Sequence, residues 1–325
     1  MIESAGQARA GHGADPYTVA VIGAGSVGAT TAYALMMRGL ARRIVLNDVV
    51  AERAEAEADD LAHGCMYVPS VEVQAGSLDD CAGARVVIVT AGAKQKPGQS
   101  RLELVGVNVG IFRNLIPKLV EVAPEAILLI VTNPVDVLTY AARKLIGGAQ
   151  RIFGTGTVLD TSRFRYLIAQ RMGVAVGNVH AHIVGEHGDS EVPLWSSARI
   201  GNISLDEFRP SGLSRLTDND RAEIARDVRQ AAGRIIRDKG ATNWAIGLTT
   251  ARIVEAIARD ETAILTVSRL LRDYCGIDDV CLSVPSLVSA RGVGDALVPD
   301  YDRTELTALR KSAAVIQDVI RQAGL

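Results

Sequence analysis

Residues 23–28 read Gly-Ala-Gly-Ser-Val-Gly and follow directly on the apolar segment Tyr17–Ile22. A strand, a turn of spacing G-x-G-x-x-G and a helix form the phosphate-binding start of a dinucleotide-binding unit. The first glycine permits a tight turn, the second lets the backbone approach a pyrophosphate, and the third lets helix and strand pack closely. The cofactor contacts that we predict from this turn, at the N-terminus of the following helix, are Gly23, Gly25, Ser26, Val27 and Gly28.

A second predicted strand, Arg43–Asn47, is followed by Asp48, twenty residues after Gly28. A carboxylate at this place accepts hydrogen bonds from the ribose hydroxyls of a dinucleotide and repels a 2′-phosphate. The sequence therefore predicts NAD rather than NADP as the cofactor. A plain glycine-rich turn with a helix-capping aspartate is the alternative interpretation.

Short apolar segments rich in valine and isoleucine recur through the first half of the chain. Continuous rather than alternating hydrophobicity is typical of parallel strands that are buried on both faces. Segments with helical periodicity lie between several of them, which predicts an α/β fold of the Rossmann type, a doubly wound parallel sheet. The predicted strands are Tyr17–Ile22, Arg43–Asn47, Val71–Ala75, Arg85–Thr90, Ala126–Thr132 and Arg151–Phe153.

The second half of the chain mixes predicted helices with antiparallel strand segments at Thr262–Leu270 and Val280–Val288. This order predicts a second, α+β domain for the substrate, with a crevice between the two domains. We divide the chain into an N-terminal arm at 1–16, a dinucleotide-binding domain at 17–155 and a substrate-binding and catalytic domain at 156–325.

Bulk properties argue against several classes of function. Hydrophobic residues make up 48% of the 325 and charged residues 22%, which is typical of a globular protein. The formal net charge is -2, with no basic stripe for nucleic acid, and no apolar run approaches the roughly 20 residues of a spanning helix. Residues 1–16 lack a signal-peptide core, and the four cysteines lack zinc-site or disulfide spacing. We therefore expect a cytoplasmic protein with no metal, nucleic-acid or membrane partner.

The polar segment Gly185–Ser190 places His187 between two apolar stretches. Imidazole has a pKa near neutrality and can both donate and accept a proton. Upstream, Asp160 could orient the ring, and Arg163, one helical turn later, could bind a carboxylate with its planar guanidinium. These groups suit hydride transfer between a nicotinamide cofactor and a small 2-oxo acid, which leaves negative charge on the carbonyl oxygen. Taken singly, each also fits a structural role, such as a helix cap or a surface ion pair.

The stretch 92–101 follows the fourth predicted strand and contains glycine, proline and several long polar residues. Its length and polarity favour a lid whose last residue, Arg101, polarises the substrate carbonyl on closure, with a plain surface loop as the alternative. The helix predicted at Arg101–Val122 contains Pro117, which should kink or divide it. Asn133, at the end of the fifth strand, could bind a carboxamide or substrate oxygen, although Asn-Pro is also an ordinary turn.

Together these segments resemble the bacterial L-lactate dehydrogenases of the lactate/malate dehydrogenase family. The resemblance extends from Thr18 to Ala323 and rests on the motifs GAGSVG, QKPGQSRLELV, TNPVDVLTY, GTGTVLDTSRFR, GEHGDSEVPLW and KGATNWAIGL. It implies a dimer or tetramer of two-domain subunits, and we expect a homotetramer that acts on pyruvate and L-lactate in glycolysis and fermentation. The active-site residues that it implies are the proton-exchanging pair His187 and Asp160, with Arg101, Asn133, Arg163 and Thr242 around the substrate.

Gln95 carries the substrate preference that the resemblance implies, and the Lys-Pro-Gly after it sets the register. Malate dehydrogenases have an arginine at this place, which pairs with the second carboxylate of oxaloacetate. A neutral glutamine leaves that carboxylate without a partner, at a high desolvation cost, and accommodates a methyl group. Pyruvate is therefore the expected substrate. A malate or other 2-hydroxy acid dehydrogenase, or a non-catalytic NAD-binding protein, is the alternative.

Arg165 and His180 carry a second implication of the resemblance. In family members that fructose 1,6-bisphosphate activates, an arginine and a histidine at these places bind the effector phosphates across a subunit interface. Positive groups from two subunits repel each other until a phosphate neutralises them, which gives a physical route to activation. We expect fructose 1,6-bisphosphate to be an effector, with an unused basic patch as the alternative.

Overall fold

A computed structural model of the protein describes most of the chain. The described residues are 17–94, 98, 101–147, 151–209 and 214–325. Arg101 is described by its backbone alone, and the predicted arm at 1–16 and Gln95 lie outside the described residues.

The chain alternates strands and helices as far as residue 154. The strands of this part are β1 (Thr18–Ile22), β2 (Arg43–Asn47), β3 (Glu72–Ala75), β4 (Val86–Val89), β5 (Ile127–Ile130) and β6 (Ile152–Gly154). Its helices are α1 (Ser26–Met37), α2 (Ala51–His63), α3 (Arg101–Val122) and α4 (Val135–Leu145). The strands pair in parallel in the order β3-β2-β1-β4-β5-β6. This is the predicted doubly wound sheet, in which ligands bind at the carboxyl ends of the strands near the β1/β4 switch point.

The second part of the chain combines short strands with long helices. Its strands are β7 (Val179–His180), β8 (Ile183–Val184), β9 (Val192–Pro193), β10 (Arg199–Ile200), β11 (Ile203–Ser204), β12 (Ala263–Leu271), β13 (Val280–Ser289) and β14 (Gly292–Ala296). Its helices are α5 (Val158–Met172), α6 (Asp218–Lys239), α7 (Trp244–Ala258) and α8 (Arg303–Gln322).

The predicted antiparallel pair is present as β12 and β13, and it extends the parallel sheet. β12 pairs antiparallel with β6 through Ser268 and Gly154, and β14 pairs with β13, so the sheet has nine strands. A Cβ at Gly154 would lie 2.5 Å from Thr139 Oγ1 and 2.7 Å from Val135 Cγ2, so glycine at this position lets α4 pack closely against β6. Strands predicted for the substrate domain thus continue the sheet of the dinucleotide-binding half, and the division at residue 155 stays a prediction.

Hydrophobic cores cover both faces of the sheet. One core is formed largely by α3, α4 and α8, and the other by α1 and α7. Because helices cover both faces, β1, β4 and β5 are buried at every residue, which explains their continuous rather than alternating hydrophobicity.

Helix α3 runs from Arg101 to Val122 without interruption, so Pro117 does not divide it. Phe112 and Leu119, on either side of the proline, are fully buried in the same core. Packing of both halves against one sheet face therefore outweighs the single backbone donor that proline removes.

Strand β13 contacts both segments that carry the predicted catalytic pair, His187 and Asp160. Gly185, with φ of 91°, donates its N–H to Ser283 O of β13 at 2.8 Å and accepts from Ser283 N at 3.1 Å. Ser283 Oγ also accepts a hydrogen bond from Thr157 N at 3.1 Å, just before α5. The segment that carries His187 and the helix that carries Asp160 are thus fixed to the same residue of β13.

Candidate active site

The glycine-rich turn has the backbone geometry that the sequence predicts. Gly23 has φ of 104°, and a Cβ there would lie 2.7 Å from Ala91 N. A Cβ at Gly28 would lie 1.8 Å from Gly23 O, so only glycine lets α1 pack against the turn. At Gly25 no described atom lies within 4 Å of the Cβ position, so a ligand can approach this backbone closely, as a pyrophosphate requires.

Helix α1 begins at Ser26, as predicted, so Ser26, Val27 and Gly28 form its first turn. The N–H groups of a first turn have no partner within the helix, and the helix dipole favours an anion there. This turn has no acidic side chain of its own. Its electrostatics therefore suit the phosphates of a dinucleotide.

Asp48 lies immediately after β2, beside the glycine-rich turn. Its Oδ2 accepts a hydrogen bond from Ala24 N at 2.8 Å, and its Oδ1 accepts one from Val50 N at 2.9 Å. These bonds fix the carboxylate against the turn. A carboxylate has about four acceptor positions, so Asp48 keeps the capacity to accept from ribose hydroxyls, and that contact stays a prediction.

His187, Asp160 and Arg163 meet in one hydrogen-bonded group. The distance from His187 Nδ1 to Asp160 Oδ2 is 2.5 Å, and Arg163 Nη1 donates to Asp160 Oδ1 at 2.8 Å. The side chain of Asp160 is 3% exposed and that of Arg163 is 14% exposed. Because Asp160 occupies Nδ1, the ring nitrogen that can reach a substrate is His187 Nε2.

The surroundings of His187 favour the protonated ring. Burial by itself would lower the pKa of His187, but the charge and hydrogen bond of Asp160, with the charge of Asp136, raise it from 6.5 to about 9. Burial would likewise raise the pKa of Asp160, but His187 and Arg163 outweigh burial and lower it. At neutral pH the two groups therefore form an ion pair with the proton on His187.

Asp136 is a further member of the site that the sequence did not single out. Its Oδ2 accepts from the backbone N of His187 at 2.8 Å, and its Oδ1 accepts from Ser268 Oγ at 2.6 Å. Burial raises the pKa of Asp136 to about 6, although both hydrogen bonds lower it. The sequence signal for Asp136 was its place in the first turn of α4. Acidic residues are common there because the helix dipole favours them, so the position does not by itself indicate a site residue.

Glu191 is a second carboxyl group that the sequence did not single out. It is buried four residues after His187, and its Oε1 has no hydrogen-bond partner among the described residues. Burial, with the charge of Asp160, raises the pKa of Glu191 well above its usual range. A neutral carboxyl group thus lies close to the charged pair.

Asn133 and Thr242 each lie beside a helix of the dinucleotide-binding half. The peptide oxygen of Asn133 accepts from Asn108 Nδ2 of α3 at 3.0 Å. Thr242 is half-buried just before α7, and its neighbour Asn243 donates to Thr30 Oγ1 of α1 at 2.9 Å. Thr242 is therefore held next to the helix that follows the glycine-rich turn, and the substrate roles of both residues stay predictions.

Arg165 and His180 both lie close to His182. Arg165 Nε donates to Ala181 O at 2.8 Å. Burial, with the charges of Arg165 and His180, lowers the pKa of His182 to about 4. The two residues predicted to bind phosphate, Arg165 and His180, therefore both lie near His182, which is neutral, within one chain.

Comparison with known proteins identifies the family. Residues 17–154 match the family model of the lactate/malate dehydrogenase NAD-binding domain, and residues 157–324 match that of the α/β C-terminal domain. The chain belongs to the lactate/malate dehydrogenase family. The Rossmann-type fold with a second domain, the NAD cofactor and the oxidoreductase class are thereby confirmed.

The similarity to individual family members covers nearly the whole chain. The chain is 48% identical to the L-lactate dehydrogenase of Bifidobacterium animalis subsp. lactis, over 95% of this chain and 98% of the relative. It is 46% identical to that of Thermus aquaticus, over 94% of this chain and 99% of the relative. The solved structure of the minor L-lactate dehydrogenase from Enterococcus mundtii, in a ligand-bound form, has a TM-score of 0.90 at 39% identity, covering 94% of this chain and 97% of that one.

Three further findings bear on the predicted partners. Across the described ranges, no group of three or more His, Cys, Asp or Glu side chains is arranged to hold a metal ion. No described helix is both long and apolar enough to cross a membrane. The four cysteines are free thiols.

Proposed function

We propose that the protein is an NAD-dependent L-lactate dehydrogenase, which interconverts pyruvate and NADH with L-lactate and NAD. The observation that carries this proposal is the buried pair of His187 and Asp160, which keeps a proton beside the guanidinium of Arg163. The names of the curated relatives, at 46% to 48% identity, support the same activity.

In the proposed mechanism, the glycine-rich turn and Asp48 would hold NADH, which would supply a hydride for the carbonyl carbon of pyruvate. His187 Nε2 donates a proton to the carbonyl oxygen, while Asp160 holds the ring and stabilises its protonated form until transfer. In the reverse direction, neutral His187 accepts the hydroxyl proton of L-lactate. Arg163 binds the substrate carboxylate, and because its Nη1 is bound to Asp160, the substrate anchor and the proton donor are held by one carboxylate.

The other predicted residues complete the pocket in this proposal. Arg101 polarises the carbonyl oxygen, and Asn133 and Thr242 bind the substrate, with Asn133 also near the nicotinamide. An H187N variant tests the central assignment. It should bind NADH with unchanged affinity, measured by fluorescence, and lose turnover, whereas full turnover would refute the role of His187.

Gln95 makes pyruvate the preferred substrate in this proposal. We expect kcat/KM for pyruvate to exceed that for oxaloacetate by about 100-fold, since the second carboxylate of oxaloacetate would be buried without a partner. Gln95→Arg should gain oxaloacetate activity, and Gln99→Arg, which adds the same charge four residues later, is the matched control.

NADH oxidation with each 2-oxo acid distinguishes the alternatives. Preference for oxaloacetate would indicate a malate dehydrogenase and refute the role of Gln95. Absence of turnover with both acids would indicate a dehydrogenase of a larger 2-hydroxy acid or a non-catalytic NAD-binding protein.

Fructose 1,6-bisphosphate activation is the second part of the proposal. It is supported by the positions of Arg165 and His180, which both lie near enough to His182 to lower its pKa. A bisphosphate would bind these two basic groups and, through α5, align Arg163. The bisphosphate should lower the pyruvate concentration at half-saturation, and Arg165→Gln should abolish this effect. An unchanged saturation curve and oligomeric state would refute it.

A homotetramer in the cytoplasm completes the proposal. Large apolar side chains are exposed on two helices that pack together, Tyr33 and Met37 on α1 and Trp244 and Leu248 on α7. Exposed apolar patches of this kind favour contact with another subunit. Sedimentation velocity should show a tetramer, and a monomer would contradict this assembly.

A further inference from the structure

A cavity outside the proposed active site is lined by three arginines. Its volume is about 190 Å³, and it is lined by Arg143, Arg269 and Arg272 together with Tyr274. Arg143 lies in the last turn of α4, whereas Asp136 lies in the first turn of the same helix. Seven residues of helix, a rise of roughly 10 Å, therefore separate the backbone positions of Arg143 and Asp136.

Backbone carbonyls hold two of the three guanidinium groups in place. Arg143 Nη1 donates to Ile152 O at 3.0 Å, and Arg269 Nη1 donates to Gly294 O. Burial lowers the pKa of both arginines. The positive charge of Arg272 lowers the pKa of Arg143 further, and the positive charge of Arg143 lowers the pKa of Arg269 further. Because arginine stays protonated in proteins, the cavity concentrates positive charges that repel one another.

Two of the three arginines have no carboxylate partner among the described residues. Arg269 and Arg272 form no ion pair with any described residue, and Arg269 Nε is buried without a hydrogen-bond acceptor. Asp295 lies near enough for its charge to act on Arg269, but it is exposed to solvent. A buried donor and a concentration of like charge are both unfavourable, and a bound anion would relieve both.

We propose that the arginine cavity binds a phosphate dianion, either free phosphate or the phosphate of a small phosphomonoester. Guanidinium groups match the oxygens of phosphate, and converging positive charges favour a dianion over a single carboxylate. The volume suits a phosphate group with a few carbon atoms, because sites for larger ligands occupy about 300–1,000 Å³. The arginine cavity shares no residue with the proposed bisphosphate site at Arg165 and His180.

Titration of the full-length protein with inorganic phosphate, by calorimetry in a chloride-free buffer, tests the proposal. Arg272→Gln is the main variant because Arg272 is exposed, and Arg291→Gln, an exposed arginine between β13 and β14, is the matched control. We expect Arg272→Gln to weaken phosphate binding about tenfold or more, and Arg291→Gln to leave it unchanged. Equal affinities of these two variants, or no binding by the wild type at millimolar phosphate, would overturn the proposal.

Further measurements test whether phosphate binds in the arginine cavity and whether the preferred ligand is free phosphate or a phosphomonoester. Arg165→Gln should remove only phosphate bound at the proposed effector site and keep a binding step that Arg272→Gln weakens, whereas complete loss of phosphate binding in Arg165→Gln would place the phosphate at the effector site and overturn the proposal. Arg269→Gln should also lose phosphate binding, with its thermal unfolding measured to establish that it folds. Tighter binding of glycerol 3-phosphate than of inorganic phosphate would support a phosphomonoester ligand, and equal binding would support free phosphate.

Discussion

Replacement of Asp160 by asparagine tests the electrostatic account of the active site. Asp160→Asn keeps the size of the side chain and removes the charge that most raises the pKa of His187. The rise from 6.5 to about 9 corresponds to about 3 kcal/mol of interaction that favours the protonated ring. In the variant, burial is opposed mainly by Asp136, so we expect a pKa of His187 at or below 6.5.

The sign and size of the effect on pyruvate reduction follow from this pKa. Reduction requires protonated His187, so kcat/KM falls as the pH rises through the pKa of His187. At pH 8, about 90% of His187 is protonated in the wild type, whose His187 pKa is about 9. For a His187 pKa of 6.5, the protonated fraction at pH 8 is about 3%. We therefore expect about a 30-fold or larger loss at pH 8, and a smaller loss toward pH 6.

Measurement of kcat/KM from NADH absorbance, between about pH 5.5 and about pH 10, checks this prediction. Asp189→Asn removes an exposed carboxylate from the same segment and should keep the wild-type pH profile. An inflection of Asp160→Asn at the wild-type pH would refute the reasoning. A loss of activity that is the same at every pH would also refute it, because it would indicate a change of orientation alone.

The remaining predictions concern packing and burial. Gly25→Ala should weaken NADH binding about tenfold with an unchanged urea midpoint, because its Cβ meets no described atom within 4 Å but would obstruct the pyrophosphate. Gly28→Ala should lower the free energy of unfolding by about 1–3 kcal/mol, because its Cβ would lie 1.8 Å from a peptide oxygen of the turn; equal urea midpoints would contradict this contrast. Asp136→Ala should cost about 3 kcal/mol in urea unfolding, since it leaves two donors without an acceptor, and Ser268→Ala about 1 kcal/mol; equal costs would argue against the bridging role. Glu191→Gln should flatten the fall in stability between pH 5 and pH 8, because the folded protein keeps a proton on this group after the unfolded chain has released it; an unchanged slope would count against its raised pKa.

Much of the fold was predictable because its determinants are local. The predicted segment Arg43–Asn47 agrees with β2, and Arg101–Val122 agrees with α3. A short apolar run rich in valine and isoleucine and flanked by turn residues favours a buried strand, and glycines at fixed spacing favour a turn, from information within a few residues. Of the two outcomes predicted for Pro117, division of α3 did not occur, because packing on the sheet face, which is not local, outweighed the loss of one donor, and a kink stays a prediction.

The candidate site was predictable in residue type and only partly in arrangement. The motifs around His187, Asp160 and Arg163 placed a proton donor, a carboxylate and a guanidinium in one site, and the structure brings the three together. Their burial, and the resulting pKa of His187, depend on the elements that pack over them. Glu191 shows the same limit, since its unpaired carboxyl oxygen results from the fold around it and not from its neighbours in sequence.

The sequence by itself determined the parallel strands, the glycine-rich turn and the chemical groups of the site, because hydrophobic period and turn chemistry act over a few residues. Only the tertiary structure decided that Asp136 binds both His187 and Ser268, which are 51 and 132 residues away from it. It also decided that β12 joins the sheet beside Gly154. The partners of a buried carboxylate or a sheet edge depend on which distant elements pack there, and packing is a property of the whole fold.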